Sequence, residues 1–168
     1  MTRGKLAVCA LAPIALFSAT AQAEELKIGA LYPITGGGAV YGVPAMDGHR
    51  MAVEEVNAAG GINGMKVVSI ERDSKLNPAE AAAAAKEMIT KDGVKVIIGG
   101  LSSAVGLAIS EVAKQEKVVY IATIPKTIQL TTSKLHDYVF RTSSHTDFGG
   151  DAIAQIVKQL GGKKICDI

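Results

Sequence analysis

The sequence has little cysteine. Cys9 and Cys166 are the only two. Cys9 lies in a leader described below, so one thiol remains and no intrachain disulfide can form. Histidine is scarce too: His49, His136 and His145 are the three present. Their spacing matches no metal-ligand pattern, so no metal site is expected. An excess of one charge is also missing. Arg3 and Lys5 are the only charged residues among the first 23, and the rest of the chain carries as many bases as acids. A neutral chain offers no electrostatic footprint for nucleic acid. No apolar run reaches the ~20 residues a bilayer requires. Nucleotide motifs are absent as well. The run Gly36-Gly37-Gly38-Ala39-Val40-Tyr41-Gly42 puts Tyr41 where a dinucleotide loop needs its third glycine. No Gly-Lys-Ser/Thr follows, and no cofactor is expected.

What is present begins with a leader. Arg3 and Lys5 form a basic start, Leu6 to Phe17 an apolar core, and Ala21-Gln22-Ala23 a small-residue cleavage pattern before Glu24. This predicts a secretory signal peptide over residues 1–23, cleaved after Ala23, with delivery to the periplasm.

After Glu24 the pattern alternates strand and helix. Strands are expected over 26–31, 65–70, 94–98, 118–121 and 138–140. Helices are expected over 44–59, from Pro78 onward, from Ser102-Ser103 to about Lys117, and over 147–160. The second helix has the clearest start. Asn77 can cap it, Pro78 suits its first turn, and Glu80 follows three after the cap. This order predicts an α/β fold with a doubly wound parallel sheet and helices on both faces. Ligands of such sheets bind beyond the carboxyl ends of the strands, which singles out the loops 32–43, 71–77, 99–103 and 122–131. Lys163 to Ile168 reads as a further strand that expects a crossover helix and a partner. The chain is therefore expected to be a fragment or a truncated product.

Gly99-Gly100-Leu101-Ser102-Ser103-Ala104 leaves a buried strand and enters a helix. A helix N-terminus carries unpaired amides and about half a positive charge. Ser102 suits the capping position. Ser103, one residue further in, can meet a carboxylate. A rival reading is hydrolytic, because Gly100-Leu101-Ser102-Ser103-Ala104 approximates a G-x-S-x-G elbow with alanine in the last place. Asp137 and His145 are the downstream pair in the required order.

The segments "AVEEVNAAGGINGMKV", "VKVIIGGLSSA" and "YVFRTSS" carry a resemblance that covers nearly all of residues 25–168. The chain resembles the periplasmic leucine/isoleucine/valine-binding proteins. The resemblance implies two α/β lobes joined by a three-stranded hinge, closing on a ligand without catalysis. It also implies delivery of that ligand to the membrane permease of an ABC importer. The expected division is a first lobe over 24–140, with 141–168 as the crossing and the start of a second. Carried over by position, Ser103 matches a carboxylate-binding serine, and Leu101 and Ser102 match the backbone positions before it. Tyr41 matches a tyrosine lining the side-chain pocket. Ile124 matches a carbonyl, and Lys126 a hydroxyl residue, that meet a ligand ammonium. Three departures follow. The first loop is longer and richer in glycine. Leu76 and Ser102 stand where some members carry a disulfide. Lys126 would repel an ammonium unless it swings away, which leaves Thr123 or Thr127 to supply a hydroxyl. The expected ligand is an amino acid of branched-chain type, or a related small carboxylate or amide. The alternatives are an exported serine hydrolase and a sensory ectodomain of the same fold.

Overall fold

The computed structural model describes residues 24–162. The leader and the terminal strand expected over 163–168 lie outside the described residues. Five strands form one sheet: β1 (Glu25–Tyr32), β2 (Lys66–Asp73), β3 (Val96–Gly99), β4 (Val119–Ala122) and β5 (Val139–Arg141). Their order is β2-β1-β3-β4-β5, and every pairing is parallel. Four helices connect or follow them: α1 (Ala39–Ala58), α2 (Pro78–Thr90), α3 (Ser103–Glu116) and α4 (Thr146–Gln159). The doubly wound parallel α/β architecture expected of the sequence is the one observed.

Side chains alternate across each strand and so divide between two layers. Leu31, Ile97, Tyr120, Ala122 and Val139 face α2 and α3. There they pack with Ala81, Ala85, Met88, Val105, Ile109 and Ala113 in the main core. Burying each of the large side chains contributes about 1.5–3 kcal/mol. Ala30 and Tyr32 point the other way and pack with Met46 of α1, with Ile34 and Ile124 against them. Among the described residues no helix is long and apolar enough to cross a membrane.

Two boundaries differ from expectation by three residues or more. α1 starts at Ala39, five residues before Pro44, so Pro44 lies inside the helix. Proline at a first helical turn is favoured, and the sequence signal pointed there. Tertiary packing moves the start. Gly42 lies so close to Pro33 that an added Cβ would fall 1.9 Å from the Pro33 carbonyl oxygen. Without a side chain there, the helix can begin directly on the end of β1. β2 also runs three residues past Ile70, to Asp73, because all eight of its residues are in register with β1 from Glu25↔Lys66 to Tyr32↔Asp73.

Candidate ligand-binding site

The chain leaves β1 for β2 on one side and returns to β3 on the other. α1 therefore lies on one face and α3 on the opposite one, and the sheet opens between the carboxyl ends of β1 and β3. Crevices of this kind are where doubly wound sheets hold ligands. Pro33 to Gly38 form one wall and Gly100 to Ser102 the other. The two approach each other: an added Cβ on Gly38 would come 3.4 Å from Leu101 Cδ2.

The α3 wall ends in a helix N-terminus. Ser102 is the cap. Its Oγ accepts from Val105 N at 3.2 Å, and its carbonyl accepts from Gly106 N at 2.9 Å. The amides of Ser103 and Ala104 have no intrahelical acceptor, as the first turn of any helix dictates. Ser103 is half-buried beside them. The helix dipole and these donors favour an anion at this spot.

The α1 wall is held by Asp73. Its carboxylate accepts from Ile34 N at 3.0 Å, from Lys75 N at 2.8 Å and from the Thr35 hydroxyl. Burial would raise its pKa, but the hydrogen bonds from Thr35, Lys75 and Ile34 outweigh this and hold it below the usual carboxylate value. The first and second loops are thus tied through one ionised side chain. Tyr41 lies on the first turn of α1, not in a loop, and is 64% exposed.

The loop after β4 forms the third side. Ile124 packs on the Tyr32–Met46 cluster. Lys126 is exposed, and its Nζ donates to Ser144 Oγ at 3.4 Å. Both nearby threonine hydroxyls already have partners. Thr123 Oγ1 lies 3.1 Å from the Tyr32 hydroxyl, and Thr127 Oγ1 accepts from Gln129 N at 3.3 Å. Burial raises the Tyr32 pKa, so its hydroxyl stays neutral and able to hydrogen-bond.

The residues of the hydrolytic reading are committed elsewhere. Ser102 caps α3, while His145 caps α4, its Nδ1 accepting from Phe148 N at 3.3 Å. A different serine and histidine do meet: Ser110 Oγ and His136 Nε2 are 2.9 Å apart. There Nδ1 accepts from Tyr138 N at 3.2 Å. In the neutral ring the proton is therefore on Nε2, which donates to the serine instead of taking its proton. Among the described residues no group of three His, Cys, Asp or Glu could hold a metal ion. An apolar pocket of about 160 Å³ lies under α1, lined by Ile28, His49, Val53, Val56, Ile62 and Val67. It reaches across the α1 face of the sheet to Ile98 of β3.

This geometry agrees with what the sequence is similar to. The sequence profile of the periplasmic binding protein family matches residues 25–168. The chain belongs to that family. The Leu/Ile/Val-binding protein homolog 8 of Brucella abortus is 35% identical over 163 residues, covering 95% of this chain and 40% of that protein. The fold is similar to LivJ of Streptococcus pneumoniae, a branched-chain amino acid transporter substrate-binding protein solved with isoleucine. The TM-score is 0.75 at 30% identity, over 81% of this chain and 38% of the other. A solute-binding protein of an ABC transporter from Rhodopseudomonas palustris, solved with 3,4-dihydroxybenzoic acid, superposes with a TM-score of 0.74 at 26% identity. That match covers 82% of this chain and 37% of the other. The chain thus spans about two fifths of the length of these relatives.

Proposed function

We propose that this family member is the lobe-one part of the solute-binding component of an ABC importer, and that it grips the carboxylate of a small organic acid. The observation that carries the reading is the N-terminus of α3. It lies at the switch point of the sheet, with Ser102 used as the cap and Ser103 and two amides left for a ligand. In this reading Ser103 and the backbone from Leu101 to Ser103 hold the carboxylate, and Tyr41 stands at the rim. Residues 24–140 form the lobe, and 141–168 form the crossing and the start of a second. Export follows cleavage after Ala23. N-terminal sequencing of the exported product would then read Glu24 first, and a retained Met1 would refute the leader.

The other half of the ligand is set by the loop after β4. An α-ammonium needs acceptors, and in this reading the Ile124 carbonyl is the one carried over to this loop. Lys126 occupies the hydroxyl position, and Thr123 and Thr127 are engaged. At ~4 Å a second cation costs about 1 kcal/mol even in water and more in a closed cleft. The reading therefore favours acids without an α-ammonium over branched-chain amino acids. Calorimetric titration of the protein at the full length of its relatives, with L-leucine, L-isoleucine and 3,4-dihydroxybenzoate, tests this. The aromatic acid is expected to bind the more tightly, and Lys126→Thr to shift preference toward the amino acids. Tight leucine binding by the unmodified protein, unimproved in Lys126→Thr, would mean that Lys126 stays on Ser144 and that the ligand is an amino acid.

A further inference from the structure

The loop after β4 is held only in part by its own bonds, such as that from Gln129 N to Thr127 Oγ1. It is stitched, carbonyl by carbonyl, to the segment that leaves the lobe. Ala122 O accepts from Thr142 N at 3.1 Å. Pro125 O accepts from Arg141 Nη1 at 3.4 Å and from Ser143 Oγ at 3.5 Å. Lys126 O accepts from Thr146 N at 3.0 Å and from Thr146 Oγ1 at 3.3 Å. Thr127 O accepts from Arg141 Nη2.

Arg141 is the centre of this stitching. Its guanidinium spans the loop and takes the carbonyls on both sides of Lys126. Among the described residues no carboxylate forms an ion pair with it. Its Nε is buried without a hydrogen-bond partner. A buried donor left unpaired is costly, so this placement has to be held by its surroundings.

The other side of the loop is fixed by shape. Pro125 is fully buried. Its ring fills a notch at the start of α3. A Cβ added to Gly106 would fall 2.7 Å from Pro125 Cγ, and one added to Gly100 would fall 3.0 Å from it. Pro125 is therefore clamped between the helix that carries Ser103 and the guanidinium of Arg141. Ile124 and Lys126 flank it in sequence. The clamp sets how far the Ile124 carbonyl stands from the N-terminus of α3.

We infer that Arg141 is a positioning residue of the ligand site, holding the loop after β4 at the spacing from Ser103 that a ligand must bridge. The inference rests on the ligand reading above and adds what keeps the two walls in register. It also makes the strand that leaves the lobe part of the grip, so that movement of the crossing is felt at the ligand.

The test uses the protein at the full length of its relatives, titrated with L-isoleucine and with 3,4-dihydroxybenzoate well below its melting temperature. Arg141→Gln removes the charge and the fork. Affinity for whichever acid the unmodified protein binds should fall about tenfold or more, the scale of one hydrogen bond to a charged group. Arg141→Lys, which can still donate to a carbonyl, should recover part of the loss. Gly106→Ala leaves Arg141 intact but pushes on the proline ring, and it should lower affinity although alanine favours a helix. Amide exchange at Thr146, whose N–H bonds the Lys126 carbonyl, should speed up in Arg141→Gln. If Arg141→Gln does not fold, Arg141→Lys and Gly106→Ala decide. Unmodified affinity in the folded variants, with only the melting temperature lowered, overturns the inference and leaves the ligand reading intact. An unmodified protein that binds neither acid overturns both.

Discussion

Gly99→Ala should be among the most damaging single-atom-group changes in the lobe, costing about 3 kcal/mol or more. Two effects add. Gly99 has φ +140°, a conformation that L side chains rarely adopt. An added Cβ would also stand 2.2 Å from the Leu31 carbonyl oxygen, which is backbone of the neighbouring strand and cannot turn aside. That same oxygen accepts from Gly100 N at 2.8 Å. The Gly99 carbonyl in turn accepts from the Tyr120 hydroxyl at 3.1 Å and from Thr123 N at 3.3 Å. Displacing Gly99 therefore disturbs β1, β4 and both walls of the crevice together. Burial raises the Tyr120 pKa, and its hydroxyl loses its acceptor if Gly99 moves. For a domain of this size the melting midpoint should fall by about 10 °C. Gly60→Ala is the control. Gly60 has φ +97° but open space around it, so it isolates the conformational cost, about 1 kcal/mol. Equal melting losses in the two variants would show that the collision at Leu31 is relieved by a shift of the strands.

How much of this was legible beforehand depends on where each feature draws its cause. The start of α2 is legible to the residue because its causes are local. Asn77 Oδ1 accepts from Ala79 N at 2.8 Å and Glu80 N at 3.1 Å, with Pro78 in the first turn. Ser102 was legible as a cap for the same reason. The polar end of β2, Glu71-Arg72-Asp73, was not. It does not look like a strand because its partners are remote. Glu71 pairs with Arg50, Arg72 with Asp92, and Asp73 holds the first loop. The start of α1 was hidden because Gly42 acts through Pro33, nine residues earlier. The direction of Lys126 depends on Ser144, and the shape of its loop on Arg141. The first contact joins two side chains and the second joins a side chain to main-chain carbonyls; both link positions more than a dozen apart, and no periodicity reports them. The loops beyond the carboxyl ends of the strands were legible as a set, since alternation of strand and helix implies a parallel sheet; the order β2-β1-β3-β4-β5, which puts the switch point between β1 and β3, was not. Which groups within those loops remain unpaired could be read only from coordinates.

Ser103→Ala and Ser102→Ala should separate ligand binding from stability. The two serines are adjacent, yet their hydroxyls face different tasks. Ser102 Oγ already satisfies Val105 N. Its loss strips the cap from α3 and should cost about 1 kcal/mol of stability. The N-terminal amides stay in place, so binding should change little. Ser103 is the first residue inside the helix, half-buried at the mouth of the crevice. Alanine is a good helix former there, so stability should hold. What the proposed reading would lose is a donor to the ligand carboxylate. Such a hydrogen bond is worth about 1.5–3 kcal/mol, or roughly ten- to a hundredfold in affinity. Melting curves and calorimetry on both variants, in the protein at the full length of its relatives, give four numbers that must cross in this pattern. Because the carboxylate is common to amino acids and aromatic acids, the loss in Ser103→Ala should be similar for every ligand that binds, whereas Lys126→Thr should change their ranking. A Ser103→Ala protein with unmodified affinity would remove the hydroxyl from the site. The carboxylate would then rest on the helix amides alone.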